Sequence, residues 1–247
     1  MDEQTEFDRS VVVVGGGVAG LSAATFTARH DLSTLVIDAG PSILRRNAHV
    51  ENYPGFPAGV NSRRLLELVA AGAEEAGADR VGARVTAVRE TAPGFVVETD
   101  DDRRIRTRAV VAATKNETGY LDPVEGVGVI DRGKTFVDAD ERGRTGVDGL
   151  YAAGRLAGKP HQAIVAAGHG AEVAVGLLED ADRPFYHDWT APDGYFTDRG
   201  RAVPPGCAEI DEAERTAREE TARERMRSAF AEPHPSDQPT HPSLREE

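Results

Sequence analysis

The sequence predicts an α/β fold of Rossmann-like type. Its parts are a parallel sheet with helices, a three-stranded antiparallel meander and a helical extension toward the C-terminus. Three observations predict it. Val11-Val12-Val13-Val14 is an unbroken β-branched run, the pattern of a strand buried on both faces. It leads directly into Gly15, Gly17 and Gly20, spaced as G-x-G-x-x-G. A second apolar strand, residues 34–37, ends on Asp38, 18 positions after Gly20. Dinucleotide folds place an acid for a ribose hydroxyl about 20 residues on.

Each glycine has its own task in such a unit. Gly15 makes the tight turn, Gly17 lets the backbone approach a diphosphate, and Gly20 lets helix and strand pack closely. Residues 21–29 continue as a helix, whose start aims free N–H groups and a partial positive charge at the phosphates. An acid at Asp38 disfavours a 2′-phosphate in the same pocket.

Composition narrows the classes. The 247 residues suffice for one large domain or two small ones, and 39% hydrophobic residues support a core. No apolar run approaches the ~18 residues of a membrane span. Residues 1–8 are acidic, lack an apolar stretch and read as a frayed leader, so the expected location is cytoplasmic. The single cysteine, Cys207, excludes an intramolecular disulfide and a cysteine metal cluster. A net charge of −13 and a pI of about 5.0 argue against nucleic acid and anionic membrane as partners. Of 29 basic residues only Lys115, Lys134 and Lys159 are lysine. Acid excess with scarce lysine fits a protein that stays soluble in high salt; a GC-rich genome is the other account.

Further along, residues 39–61 form a long connection without periodicity, punctuated by Pro54-Gly55. Ser62 serves as N-cap of a helix with Leu65, Leu66, Val69 and Ala73 on one stripe, ended at Gly77. Residues 81–90, 95–99 and 103–107 read as the meander, and 109–113 as a separate buried strand. The arginines of 103–106 read as a solvated strand edge. Residues 135–137 and 149–154 are short strands and 162–178 a helix with small residues between its apolar ones. Residues 182–207, rich in aromatics and proline, are expected to pack without regular structure. A charge-dense helix follows near 210–230, and 232–247 read as a disordered tail.

Four segments together carry a family likeness. Val50-Glu51-Asn52-Tyr53-Pro54-Gly55-Phe56-Pro57 is the most specific. The others are the glycine fingerprint with Asp38, Gly149-Leu150-Tyr151-Ala152-Ala153-Gly154, and Gln162-Ala163 with Ala166-Ala167-Gly168-His169-Gly170-Ala171. Over residues 9–179 they resemble the FAD domain of thioredoxin reductases, and with the charge balance the reading extends to a haloarchaeal member. The resemblance implies an FAD-binding domain over 9–180, its two halves joined across 114–134, with an extension over 181–231. It implies FAD as the cofactor. Gly15, Gly17, Val18, Ala19 and Gly20 would lie at its diphosphate, and Asp38 and Ala39 at the adenosine ribose. Asn52, Tyr53, His161, Gln162 and Ala163 would lie at the flavin, with Val85, Ala113, Thr114, Gly154 and Arg155 completing the set.

The chain also departs from that family. The span 114–134 is too short for a βαβ unit of ~30 residues, and it holds no second G-x-G-x-x-G, since Gly126-Val127-Gly128 has no glycine three residues on. An NADPH-binding domain and a C-x-x-C dithiol are therefore not expected. The family follows Ala-Ala-Gly with an aspartate that bonds the flavin's ribityl chain; here the residue is Arg155. Its loss weakens that contact, or the arginine reaches the diphosphate instead, or it faces solvent on a site without flavin. Ala113-Thr114-Lys115 stands where Ala-Thr-Gly is usual.

His161 reads as a polar residue at a helix start or an acid–base group beside the flavin, and His169 as structural. The neighbours of Cys207, Pro204, Pro205, Gly206 and Glu209, give it no cationic partner, so it is not expected to react. The leading expectation is a flavoprotein oxidoreductase fed by an outside electron donor, with donor and acceptor unidentified and a homodimer expected from the resemblance. The alternative is a non-catalytic nucleotide-binding or partner protein derived from such a reductase. An NAD-dependent dehydrogenase is a weaker third.

Overall fold

In the computed structural model, which describes residues 7–40, 42–181 and 188–240, the valine run forms the central strand β1 (Arg9–Val14). Helix α1 (Val18–Arg29) starts three residues before the expected point, directly after the glycine turn. It returns the chain to β2 (Thr34–Asp38), parallel to β1 with Val14 opposite Ile37. Of the frayed leader, 1–6 lie outside the described residues. Asp8 is not frayed: its N–H donates to the Arg106 carbonyl at 3.0 Å, and its carboxylate accepts the Arg106 N–H at 2.8 Å.

The next helix, α2 (Ser62–Glu75), is capped one residue earlier than expected. Asn61 Oδ1 accepts the N–H groups of Arg63 and Arg64 at 3.0 and 3.3 Å. The Ser62 hydroxyl instead donates to the Asn47 carbonyl at 2.6 Å, tying the helix to the long connection before it. The single strand expected over 81–90 is two. β3 (Asp79–Gly82) pairs parallel with β2, and β4 (Val85–Glu90) belongs to the meander. The break lies at Ala83-Arg84, whose N–H groups are taken by the Asp38 carbonyl at 3.2 Å and by Asp100 Oδ1 at 2.9 Å.

β5 (Phe95–Thr99) follows, and then β6 (Arg104–Ala112), which unites two strands expected to be separate. Burial along β6 alternates at first and then becomes continuous over Ala109–Ala112. The reason is its neighbours. One edge pairs with β1 along most of its length. The other pairs antiparallel with β5 over residues 104–107 and then parallel with β9 (Leu150–Ala152) over 110–112. Arg104 and Arg106 are thus exposed on one face of an interior strand, with Ile105 buried between them. The sheet runs β3-β2-β1-β6-β5-β4, with β9 beside β6.

Between β6 and β9 lie a short turn and a hairpin of β7 (Val129–Asp131) and β8 (Thr135–Val137); β7 had no sequence signal. A core of Val12, Val14, Ile37, Val88, Phe95, Val97 and Val110 fastens the meander to the parallel strands. The chain returns through α3 (Ala163–Asp180).

Residues 178–237 form a second compact unit. Phe185 and Tyr186 lie outside the described residues, but Trp189 and the segment after it do have regular structure. β10 (Trp189–Pro192) pairs parallel with β11 (Cys207–Ile210), around edge-on contacts of Trp189, Tyr195 and Phe196. Helix α4 (Glu212–Phe230) buries none of its residues and carries i,i+4 pairs such as Arg215–Glu219 at 2.9 Å. Asp211 caps it, accepting the Glu214 N–H at 2.8 Å. Residues 241–247 of the expected tail are outside the described residues. No described helix is long and apolar enough to cross a membrane.

Candidate functional site

The carboxyl ends of β2, β1, β6 and β9 lie side by side, and the turns leaving them hold most of the expected site residues. Gly15 adopts φ +115°, and a Cβ there would stand 2.7 Å from the Ala113 carbonyl oxygen. A Cβ on Gly20 would stand 2.0 Å from the Gly15 oxygen. Both glycines are required by the fold itself. Gly17 is different: its φ is −83° and a Cβ would meet nothing closer than Ser42 Oγ at 3.6 Å. Protein packing does not demand a glycine here, so the open space before α1 suits a ligand that must come close. No side chain caps α1, whose first-turn N–H groups face that space. Val18 is buried against Leu66 and Ala167, and Ala19 against Gly154 and Gly170, so both can offer a ligand only backbone.

At β2, Asp38 Oδ1 accepts the Gly40 N–H at 3.1 Å, and Oδ2 lies 3.9 Å from Arg80. A Cβ on Gly16 would fall 2.3 Å from Asp38 Oδ2, which places the carboxylate directly beside the turn. Ala39 is exposed. Val85 is buried in the core, two residues after Ala83 bonds the Asp38 carbonyl, and forms wall rather than lining.

The loop after β2 is closed by Val50 and Val60, which exchange backbone hydrogen bonds at 2.8 and 2.9 Å. Within it Tyr53 is half-buried and tilted against Phe56, ring centres 6.2 Å apart, and burial pushes its hydroxyl pKa up. From the loop, Asn52 Nδ2 donates to Gln162 Oε1 at 2.8 Å, across 110 positions of sequence. Two segments singled out separately in the sequence thus meet. Ala163 begins α3 and packs toward Val18.

On the β6 and β9 side, Thr114 is turned into its own loop. Its hydroxyl donates to the Glu117 carbonyl at 2.6 Å and lies 3.0 Å from the Tyr120 hydroxyl, which burial pushes far up in pKa. Gly154, at φ +64°, donates its N–H to His169 Nδ1 at 2.9 Å. That bond fixes the tautomer, and Nε2–H donates to the Glu141 carbonyl at 3.1 Å. Burial holds the His169 pKa below its usual value. His169 is structural, as expected. Arg155 lies with its guanidinium carbon 5.1 Å from the Phe136 ring centre and Nη1 3.5 Å from the Lys159 carbonyl, so an aromatic face, not open solvent, receives it. His161 is exposed, two residues before α3. Burial lowers its pKa, as do Arg155, Lys115 and Lys134.

Comparison with known proteins adds to this geometry. Residues 10–49 match the family model of the FAD binding domain. FAD is the cofactor this match indicates. The chain is 32% identical over 129 residues to the thioredoxin reductase of Streptomyces coelicolor, covering 49% of this chain and 40% of that protein. It is 31% identical over 115 residues to NADPH-dependent thioredoxin reductase 3 of Arabidopsis thaliana, covering 44% of this chain and 22% of that one. It thus spans less than half the length of these curated relatives. Among solved structures, a thioredoxin reductase from Gloeobacter violaceus superposes with TM-score 0.66 at 20% identity, covering 74% of this chain and 100% of that one. The enzyme of T. acidophilum gives 0.65, also at 20%, over 72% and 100%. The fold around the FAD segment is therefore that of thioredoxin reductases.

Lys134 and Phe136 stand beside Lys115 and Arg155 and had no place in the sequence-based site. The available signal was the lysine count: with only three in the chain, two of them, Lys115 and Lys134, stand here.

Proposed function

We propose that this chain is an FAD-binding flavoprotein oxidoreductase related to thioredoxin reductases, working without an NADPH domain or redox dithiol of its own. The observation that carries the reading is the Asn52–Gln162 hydrogen bond. It joins the loop of residues 50–57 to the start of α3. The carboxyl end of the sheet carries a glycine turn with open space at Gly17 and a carboxylate at Asp38. These residues fit a flavin dinucleotide. Backbone at Gly15–Gly20 would hold the diphosphate, Asp38 the adenosine ribose, and Asn52, Tyr53 and Gln162 the flavin end.

When bound, FAD supplies two-electron exchange with a hydride donor or a thiol. Support for an outside donor comes from residues 113–149, which hold only a turn and the β7–β8 hairpin between β6 and β9. The sole cysteine, Cys207, lies in β11 of the second unit. That distribution of thiols also favours a second reading, a dinucleotide-binding protein without turnover.

Anaerobic spectroscopy separates the two. The proposal expects FAD uptake with a flavin absorbance that bleaches on adding a two-electron donor such as NADH, NADPH or a reduced dithiol protein. FAD uptake with no bleaching by any of these supports the second reading, and no FAD uptake refutes both.

A further inference from the structure

The rim of the crevice concentrates positive charge in a strongly acidic chain. Three contacts independent of one another bring it together. β6 and β9 are parallel with Ala112 opposite Ala152, so Lys115 and Arg155 leave neighbouring strands at equivalent positions, three residues on. Asn116, next to Lys115, donates from Nδ2 to the Thr135 carbonyl at 2.8 Å, which draws Lys134 to the same place. Arg155 lies over Phe136, two residues past Lys134.

Such a cluster is costly in isolation. Every charged group that acts appreciably on Lys115 is a cation, and the same holds for His161. Among the described residues none of these three cations is ion-paired with a carboxylate, although the chain holds 42 acidic residues. Surface charges in an acid-rich protein find counter-charges readily, so a group of cations left to repel one another marks a place where the counter-charge comes from outside. Lys115 adds a second sign. It holds φ +68°, a left-handed conformation that suits glycine and strains a lysine. A strained backbone that carries a charge to the rim, where glycine would sit without strain, indicates that the charge is wanted.

We propose that Lys115, Lys134 and Arg155 form a binding site for a phosphate or diphosphate group. The chemistry suits either of two sources, the diphosphate of the dinucleotide in the crevice or a phosphate on a second ligand. The proposal stands whether or not FAD is the dinucleotide.

The test uses the full-length protein and inorganic pyrophosphate, measured by calorimetry at low ionic strength, before and after loading with FAD. Binding weakened at least about tenfold in Lys115→Gly, and again in Lys115→Gly with Lys134→Gln, is the expected result. Affinity should also fall as salt rises. Arg106→Gln, an exposed arginine on β6 away from the rim, should bind pyrophosphate as the wild type does. Lys115→Gly removes the strain, so a folding defect does not confound it. If FAD loading abolishes pyrophosphate binding, the site belongs to the dinucleotide's own diphosphate. If the loaded protein still binds it, the site serves a second phosphate-bearing ligand. Equal affinity in wild type and Lys115→Gly/Lys134→Gln, or no binding by the wild type, overturns the proposal.

Discussion

Replacing His169 with alanine removes the strut under Gly154. The imidazole is 4% exposed and joins two backbone groups, the Gly154 N–H at 2.9 Å and the Glu141 carbonyl at 3.1 Å. Alanine leaves both without that partner. The buried Gly154 N–H stripped of its partner costs about 1–3 kcal/mol, while the carbonyl of the exposed Glu141 turns to water at little cost. For a chain of this size that is a fall in Tm of roughly 2 °C at the least and up to about 12 °C. The pH dependence has a definite sign. Nδ1 accepts a hydrogen bond, so the folded protein holds His169 neutral, with its pKa below the usual value. The unfolded chain takes up a proton below about pH 6.5. The contribution of His169 is therefore complete above that pH and is lost as pH falls through the lowered folded pKa. Thermal melts of wild type and His169→Ala from pH 8 to pH 5 should show the widest gap at pH 8 and a narrowing one below 6.5. A gap under about 1 °C at pH 8, or one that widens toward pH 5, would refute the reasoning.

Gly17→Ala should fold with nearly wild-type Tm, since the added Cβ has 3.6 Å to Ser42 Oγ, yet bind FAD at least about tenfold more weakly in a fluorescence titration. Gly20→Ala should instead lose stability, by about 1–3 kcal/mol or more, because its Cβ meets the Gly15 carbonyl at 2.0 Å; a chemical denaturation curve reads this directly. A double-mutant cycle on Asn52→Ala and Gln162→Ala should give a coupling near 0.5 kcal/mol in stability, small because both residues are exposed, and a larger coupling in FAD affinity. In the second unit, Glu209→Ala should speed amide exchange at Phe196 and Thr197, whose N–H groups its carboxylate accepts, and leave exchange in β1 unchanged.

The parallel half of the fold was legible because burial on both faces leaves a mark: Val11–Val14 and the C-terminal part of β6 are continuous apolar runs. What was not legible depended on partners distant in sequence. Nothing near Arg108 reveals that residues 104–112 are one strand, since the change from β5 to β9 along its edge is a tertiary event. The capping role of Asn61 hinged on the Asn47 carbonyl taking the Ser62 hydroxyl. For the site, Gly15, Gly20, Asp38, Asn52 and Gln162 could be named from spacing and motif. The cationic rim could not, because Lys115, Lys134 and Arg155 lie about 20 residues apart in sequence and converge only through strand register and the Asn116–Thr135 bond.

The most direct test of the account is a titration of purified, flavin-free protein with FAD, followed by absorbance and by quenching of flavin fluorescence. Saturable binding of one FAD per chain, weakened by Gly17→Ala and by Asp38→Ala, is the expected result. Flavin spectra unchanged by the protein at every concentration would contradict it.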